Sequence, residues 1–198
     1  VALPTRGPQA DAPAATAEPV PVPRLREVVG ERTQRLLEAR LVGAARPERP
    51  GWLVCHRLQH ASSRLDVHTP TDGTLLGIVP LPWPVTVTGS AGGRHDDRLH
   101  LTVGAFTAAD QLLACDLPTL TLATVWQAED RVGSDDEVVV EQVAVEHDGV
   151  AVPLFLIHRD DVLADGRRPT VLWGYGGFDI PVTPMHRPGW RAWVEAGG

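Results

Sequence analysis

Between residues 51 and 127 short apolar runs recur with a turn signal after nearly every one, and that rhythm limits the architecture more than any other feature of the chain. "WLVCHRL" reads as a strand, followed by "SRLDVHT", the pair Asp72-Gly73, and "TLLGIVPL". Asp-Gly between two apolar runs predicts a tight hairpin turn, whose two central residues both need positive φ. "RLHLTVGAF" alternates its apolar residues at Leu99, Leu101 and Val103, as a half-buried strand does, and "QLLACDL" and "LTLATVW" follow around Pro118. Strands of this length, spaced by roughly 8 to 12 residues, predict an all-β sandwich, barrel or propeller. No clear repeat of propeller-blade length is visible, so the three stay open on these residues.

The flanks read differently. Residues 1–23, with "QADAPAATAEPVPVP", lack an apolar period and predict an extended linker. "TQRLLEARLVGAA" fits a short helix by propensity, yet "RLLEARLV" also fits an edge strand. After Asp130 the character changes. "EVVVEQVAVEHDGVAVPLFLIHRDD" predicts a hairpin turning at Asp148-Gly149, and "RRPTVLW" predicts a short strand buried on both faces. "RPGWRAWVEAGG" predicts a helix with Pro188 near its start, Trp190, Trp193 and Val194 on one core-facing side, and Gly197 at its end. Strand, glycine loop and helix in succession are the opening of an α/β unit.

Composition excludes some functions. A net charge of −7 argues against a nucleic-acid surface, which needs a basic stripe. No apolar stretch reaches transmembrane length and no signal-peptide layout begins the chain, so no membrane is expected and the location is read as cytoplasmic. Cys55 and Cys115 are read as free thiols in a reducing compartment. The 18 basic residues are all arginine, a coding bias with no bearing on partners.

Three candidate sites fail on chemistry. The loop Gly174-x-Gly176 has Asp179 where a dinucleotide fingerprint needs its third glycine, and no phosphate loop is present. His56 and His60 stand four apart on a predicted strand, where that spacing separates side chains by about 13 Å, so with Cys55 and His68 they are read as structural and no metal is expected. "TGSAGG" around Ser90 lacks the glycine pattern and following helix of a nucleophile elbow and is read as an ordinary turn. No cofactor is expected.

The glycine loop Gly174-Tyr175-Gly176-Gly177-Phe178 remains. Glycines let the backbone turn tightly and let a substrate approach without Cβ clashes. A phenolic hydroxyl is a rigid donor, neutral at pH 7, that can face a developing oxyanion; the competing reading is a core tyrosine in a loop.

From Glu141 to Gly198, "EQVAVEHDGVAVPLFLIHRDDVLADGRRPTVLWGYGGFDIPVTP" and the helix after it resemble the entry into the catalytic domain of prolyl oligopeptidases. Gly177-Phe178 is similar to the prolyl branch of that family and departs from oligopeptidase B. "SSRLDVHTPTDGTLLGIVPLP" and "ACDLPTLTLATVW" resemble its last propeller blades, a weaker match, and residues 1–45 match poorly. The resemblance implies a mainly β fold: a partial β-propeller over residues 24–130, a crossing near 130, and the start of an α/β-hydrolase domain over 131–198. It implies a serine-type endopeptidase that cleaves short peptides after proline, a monomer when complete. Tyr175 would supply an oxyanion-hole hydroxyl, Phe178 would line the substrate pocket, and Gly174, Gly176 and Gly177 would shape the loop. In this family the serine, aspartate and histidine of the triad lie downstream of that loop. The chain is therefore expected to be an internal piece, inactive and poorly soluble or partly molten by itself; the alternative is a non-catalytic remnant or a β-rich binding module.

Overall fold

The computed structural model describes residues 26–45, 48–82, 84–129, 138–162, 165–178 and 180–198. The segment read as a linker, 1–23, and the crossing near residue 130 lie outside them. Ten strands and one helix are described: β1 Arg35–Val42, β2 Trp52–Gln59, β3 Ser62–His68, β4 Leu75–Ile78, β5 Thr86–Ala91, β6 Arg98–Gly104, β7 Gln111–Asp116, β8 Thr121–Gln127, β9 Val138–His147, β10 Val150–Arg159 and α1 Pro188–Glu195. They form two four-stranded antiparallel meanders, β1-β2-β3-β4 and β5-β6-β7-β8, and a two-stranded β10-β9 ribbon. The segment that fitted either a helix or an edge strand is the strand β1, in register with β2 from Arg35↔Leu58 to Val42↔Trp52.

The two meanders bury a common core. Val42, Trp52, Val54, Leu65, Val67 and Val79 from the first pack with Val87, Leu99, Leu101, Val103, Leu113, Cys115 and Leu117 from the second. The alternation read in β6 is the alternation observed, with Leu99, Leu101 and Val103 all buried. Each is a branched or aliphatic side chain on the inner face of a pleated strand, the pattern that holds two stacked sheets together.

Polar groups stitch the same interface. The Ser63 N–H donates to the Val85 carbonyl at 2.8 Å, and the Ser63 hydroxyl oxygen accepts the Val87 N–H at 2.8 Å. That hydroxyl also lies 2.8 Å from His56 Nε2. At the edge, Arg40 Nε donates to Ser90 Oγ at 3.0 Å and Ser90 Oγ donates to Glu38 at 2.7 Å, tying β1 to β5. Ser90 therefore sits on a strand, contrary to its reading as a turn. The β5 run has Gly89 within it and a register shift between Val87 and Gly89, which masks its alternation.

Turn chemistry decides three connections. Asp148 and Gly149 both have positive φ (48° and 76°), the tight hairpin turn expected between β9 and β10. Asp72-Gly73 departs from that form: Gly73 alone has positive φ, and residues 69–74 make a longer loop. Its N–H groups are taken up locally, Gly73 N–H by the Thr69 carbonyl at 3.0 Å and Thr74 N–H by the Asp72 carboxylate at 3.0 Å. The β2–β3 turn was not signalled at all. His60 and Ala61 carry it with φ of 47° and 58°, a conformation costing a non-glycine residue roughly 1–2 kcal/mol.

The run Thr170–Trp173 corrects a second expectation. It is not a strand; no regular element is described between β10 and α1. A strand buried on both faces needs ladder partners on both sides, and no described strand pairs with it. Leu172 is 84% exposed in consequence. The helix α1 forms as expected, with Pro188 in its first turn and Gly197 at φ 95° after its end. Val194 and Arg191 face inward, whereas Trp193 is 42% exposed, so the expected core face is only partly covered. Phe106 touches both Phe155 and Trp190, with ring centroids 5.0 and 5.9 Å apart, and so seats α1 and β10 against the second meander.

Candidate active-site loop

The loop 174–178 hangs between β10 and α1. Gly176 has φ of 65° and Phe178 of 53°, two left-handed residues within three positions that bend the chain. The bend closes with the Ile180 N–H donating to the Gly177 carbonyl at 3.0 Å. Only glycine takes the first of these conformations without strain; Phe178 takes the second at a cost. A Cβ on Gly177 would meet the Tyr175 ring at 3.5 Å, so the ring lies over that glycine. A Cβ on Gly174 or Gly176 would meet nothing within 4 Å. The backbone there is open to an approaching molecule.

Tyr175 is 56% exposed and Phe178 92% exposed. Neither is packed into the core of the described residues. Beside the loop lies a cleft of about 530 Å³. Gly176, Gly177, Ile180, Pro181 and Pro153 form one wall, and Thr33, Arg35, Leu58, His60 and Ala61 form the other. The second wall belongs to the first meander. It is clamped to the β9–β10 ribbon by Gln142, whose side-chain amide donates to the His60 carbonyl. His60, weighed in the sequence as a histidine on a strand, sits instead on the β2–β3 turn; nothing marked that turn, because His-Ala has none of the usual turn residues, and Arg35 and Gln142 carried no signal.

Other chemistry-bearing side chains lie elsewhere. His56 and His68 are buried in β2 and β3; His56 meets Ser63, and His68 Nδ1 is 2.9 Å from the Gly73 carbonyl oxygen. Burial pushes the His56 imidazole below its ordinary pKa, against the opposing charge of Glu38. Burial raises the Glu38 carboxyl, but hydrogen bonds from Ser90 and Arg40 and the charges of Arg40 and His56 outweigh it and hold it below the usual range. Among the described residues no three His, Cys, Asp or Glu side chains gather as a metal site. Cys55 and Cys115 are free and buried, one in each meander; burial raises both thiols, Cys115 to about 11. Neither is a ready nucleophile, since the thiolate is the reactive form.

No family model matches the chain. Individual relatives do. It is 30% identical over 119 residues to a protein of Sinorhizobium fredii named "Uncharacterized peptidase y4nA", a match spanning 60% of this chain and 16% of that protein. It is 25% identical over 128 residues to the prolyl endopeptidase of Elizabethkingia meningoseptica, spanning 64% of this chain and 18% of the relative. A solved structure of one of two prolyl endopeptidases, studied for inter-domain dynamics in catalysis and specificity, superposes with a TM-score of 0.73 at 29% identity. That superposition takes in 87% of this chain and 24% of the other. The chain belongs to the prolyl oligopeptidase family. It spans less than a fifth of the length of these two relatives. The mainly β, propeller-like architecture is that of its prolyl oligopeptidase neighbours, and no helix among the described residues is long and apolar enough to cross a membrane.

Proposed function

We propose that the chain forms part of a serine-type endopeptidase that cleaves short peptides after proline, with Tyr175 as one donor of the oxyanion hole. Residues 24–130 would be propeller blades and residues 131–198 the opening of an α/β-hydrolase domain. The observation that carries the reading is the exposed Tyr175 ring on a glycine turn, 56% accessible and beside an open cleft, in a chain of prolyl oligopeptidase descent. A hydroxyl so placed can meet the oxyanion of a tetrahedral intermediate, where a preorganised donor acts only as charge develops. Phe178, almost wholly exposed beside it, suits an apolar wall for the substrate. The buried reduced thiols support a cytoplasmic setting.

The test is Tyr175→Phe in the native product that carries this sequence, assayed on a chromogenic Gly-Pro substrate. Loss of one oxyanion donor lowers kcat by roughly 10²–10³-fold with KM little changed. An unchanged kcat would remove Tyr175 from the chemistry.

A further inference from the structure

The chain has no asparagine, but aspartate stands directly before glycine at three places, 72, 148 and 165. Asp-Gly is the aspartyl pair most prone to cyclise, because without a Cβ on the second residue its amide nitrogen can swing onto the aspartyl Cγ. The sequence treats the three pairs alike, and the fold separates them.

Asp72 is pinned. Its carboxylate accepts hydrogen bonds from the Thr69 hydroxyl and from the Thr74 N–H at 3.0 Å. These bonds, that of Thr69 foremost, hold its pKa down to about 2, and an ionised carboxylate has no hydroxyl to lose. The attacking nitrogen is engaged as well, since the Gly73 N–H donates to the Thr69 carbonyl at 3.0 Å. A Cβ at Gly73 would fall 1.7 Å from the Val28 carbonyl oxygen, so that peptide has no room to turn. Asp148 is exposed but locked in the tight turn, at φ 48° beside Gly149 at φ 76°. In the left-handed region Cβ stands nearly trans to the next amide nitrogen across the Cα–C bond, which holds Cγ away from Gly149. The ladder fixes that geometry from Val150↔His147 onward.

Asp165 and Gly166 are both exposed and belong to no strand or helix. The Asp165 carboxylate accepts the Arg167 N–H at 3.0 Å, which folds it back over the peptide that follows. A Cβ on Gly166 would meet nothing within 4 Å, so that peptide has room to rotate. We propose that Asp165-Gly166 is a modification site, at which the chain converts through a succinimide to L-isoaspartate. The Gly166 nitrogen attacks Cγ of the protonated carboxyl; the N–Cγ bond forms, the Cγ–OH bond breaks, and the hydroxyl leaves with the amide proton as water. Water then opens the ring. Addition at Cγ restores aspartate, whereas addition at the main-chain carbonyl carbon breaks its bond to nitrogen and leaves the chain running through the side chain, one methylene longer. The added length falls between β10, which ends at Arg159, and the Tyr175 loop. It falls also on the wall of a cavity of about 580 Å³ that Gly166 shares with Glu141 and His158.

Ageing of the native product that carries this sequence tests it. The protein is incubated in mildly acidic buffer, digested and mapped by electron-transfer fragmentation, which distinguishes isoaspartyl from aspartyl peptides of equal mass. Free peptides spanning each Asp-Gly pair are aged alongside, and each rate in the protein is divided by that of its free peptide. A methyltransferase specific for L-isoaspartate, supplied with S-adenosylmethionine, counts the product independently. On this scale conversion at 165 is expected to run at least roughly tenfold faster than at 72 or 148, the factor that even a modest local opening cost imposes on the other two. Asp165→Glu, whose larger ring closes poorly, removes methyl acceptance from that peptide; the mapping of the unsubstituted protein stands without it should the variant fail to fold. Conversion at 165 no faster than at 72 or 148 overturns the proposal, as does methyl acceptance that survives Asp165→Glu undiminished.

Discussion

Replacing Ser63 with alanine removes one oxygen that serves two partners across the meander interface. Its hydroxyl oxygen accepts the Val87 N–H at 2.8 Å and stands 2.8 Å from His56 Nε2, in a setting where serine and histidine are both buried. The hydroxyl has one proton to give and two lone pairs to receive, so it partners His56 in either tautomer while it accepts the Val87 N–H. Alanine fills the same backbone position and keeps the Ser63 N–H bond to Val85, so the loss is confined to the side chain. Two buried polar groups are then left without partners, at about 1–3 kcal/mol each; after partial relaxation the loss is about 3 kcal/mol. Native-state hydrogen exchange reads this at the Val87 amide, whose protection should fall by roughly 150-fold. Leu113, buried in β7 of the same sheet, is the reference: a smaller rise there means that the edge strand opens locally, an equal rise that the sheet opens as one unit. Val87 protection within a factor of about three of wild type would refute the reasoning, because it would mean that the stitch carries no weight.

Two further perturbations follow from the same interface. Because burial holds His56 below its ordinary pKa, the folded chain binds its proton less readily than the unfolded one; the stability this gives is complete above the unfolded value of about 6.5 and is lost as pH falls below it toward the folded value. His56→Gln, which still offers Ser63 an acceptor, should flatten that part of the stability–pH curve, and a curve unchanged by the substitution would place the titration elsewhere. Gly51→Ala and Gly149→Ala compare two glycines with nearly the same φ, 79° and 76°, in different surroundings: a Cβ at 51 would fall 2.4 Å from the Val42 carbonyl oxygen, and one at 149 meets nothing within 4 Å. The second change should cost about 1 kcal/mol and the first several times that, measured as a difference in melting temperature; equal costs would show that φ alone decides.

What the sequence made legible was what depends on near neighbours. β6 was readable because Leu99, Leu101 and Val103 alternate without interruption, and β9–β10 because Asp-Gly supplies both left-handed residues of its turn. β5 was not, since Gly89 and a bulge break its period. The hairpin tip at His60-Ala61 was not, since nothing local favours that conformation; it stands because β2 and β3 pair up to Gln59↔Ser62 and Gln142 holds the tip from another sheet. The glycine loop could be picked out by residue type. The wall opposite it could not, because Arg35 and His60 are brought to Gly176 by a contact spanning 82 residues of chain, between His60 and Gln142.

The run Thr170–Trp173 is where composition and structure disagree most, and the disagreement can be measured. Its residues suit a strand covered on both faces, yet no described strand pairs with it, and Val171, Leu172 and Trp173 are all more than half exposed. The same residues line an apolar cavity of about 260 Å³ together with Phe155, Trp190 and Val194, so the segment lies along β10 and α1 without joining a ladder. An amide outside a ladder has no hydrogen bond to break before it exchanges. Amides 170–173 should therefore exchange within a few tens of times the unprotected rate, whereas amides in the middle of the ten-residue β9–β10 pairing are held by its ladder. Uniform strong protection from 138 through 173 would refute this picture. It would mean that the segment has found strand partners in solution, and that Tyr175, which follows two residues later, is carried on a fixed strand end rather than on a free loop.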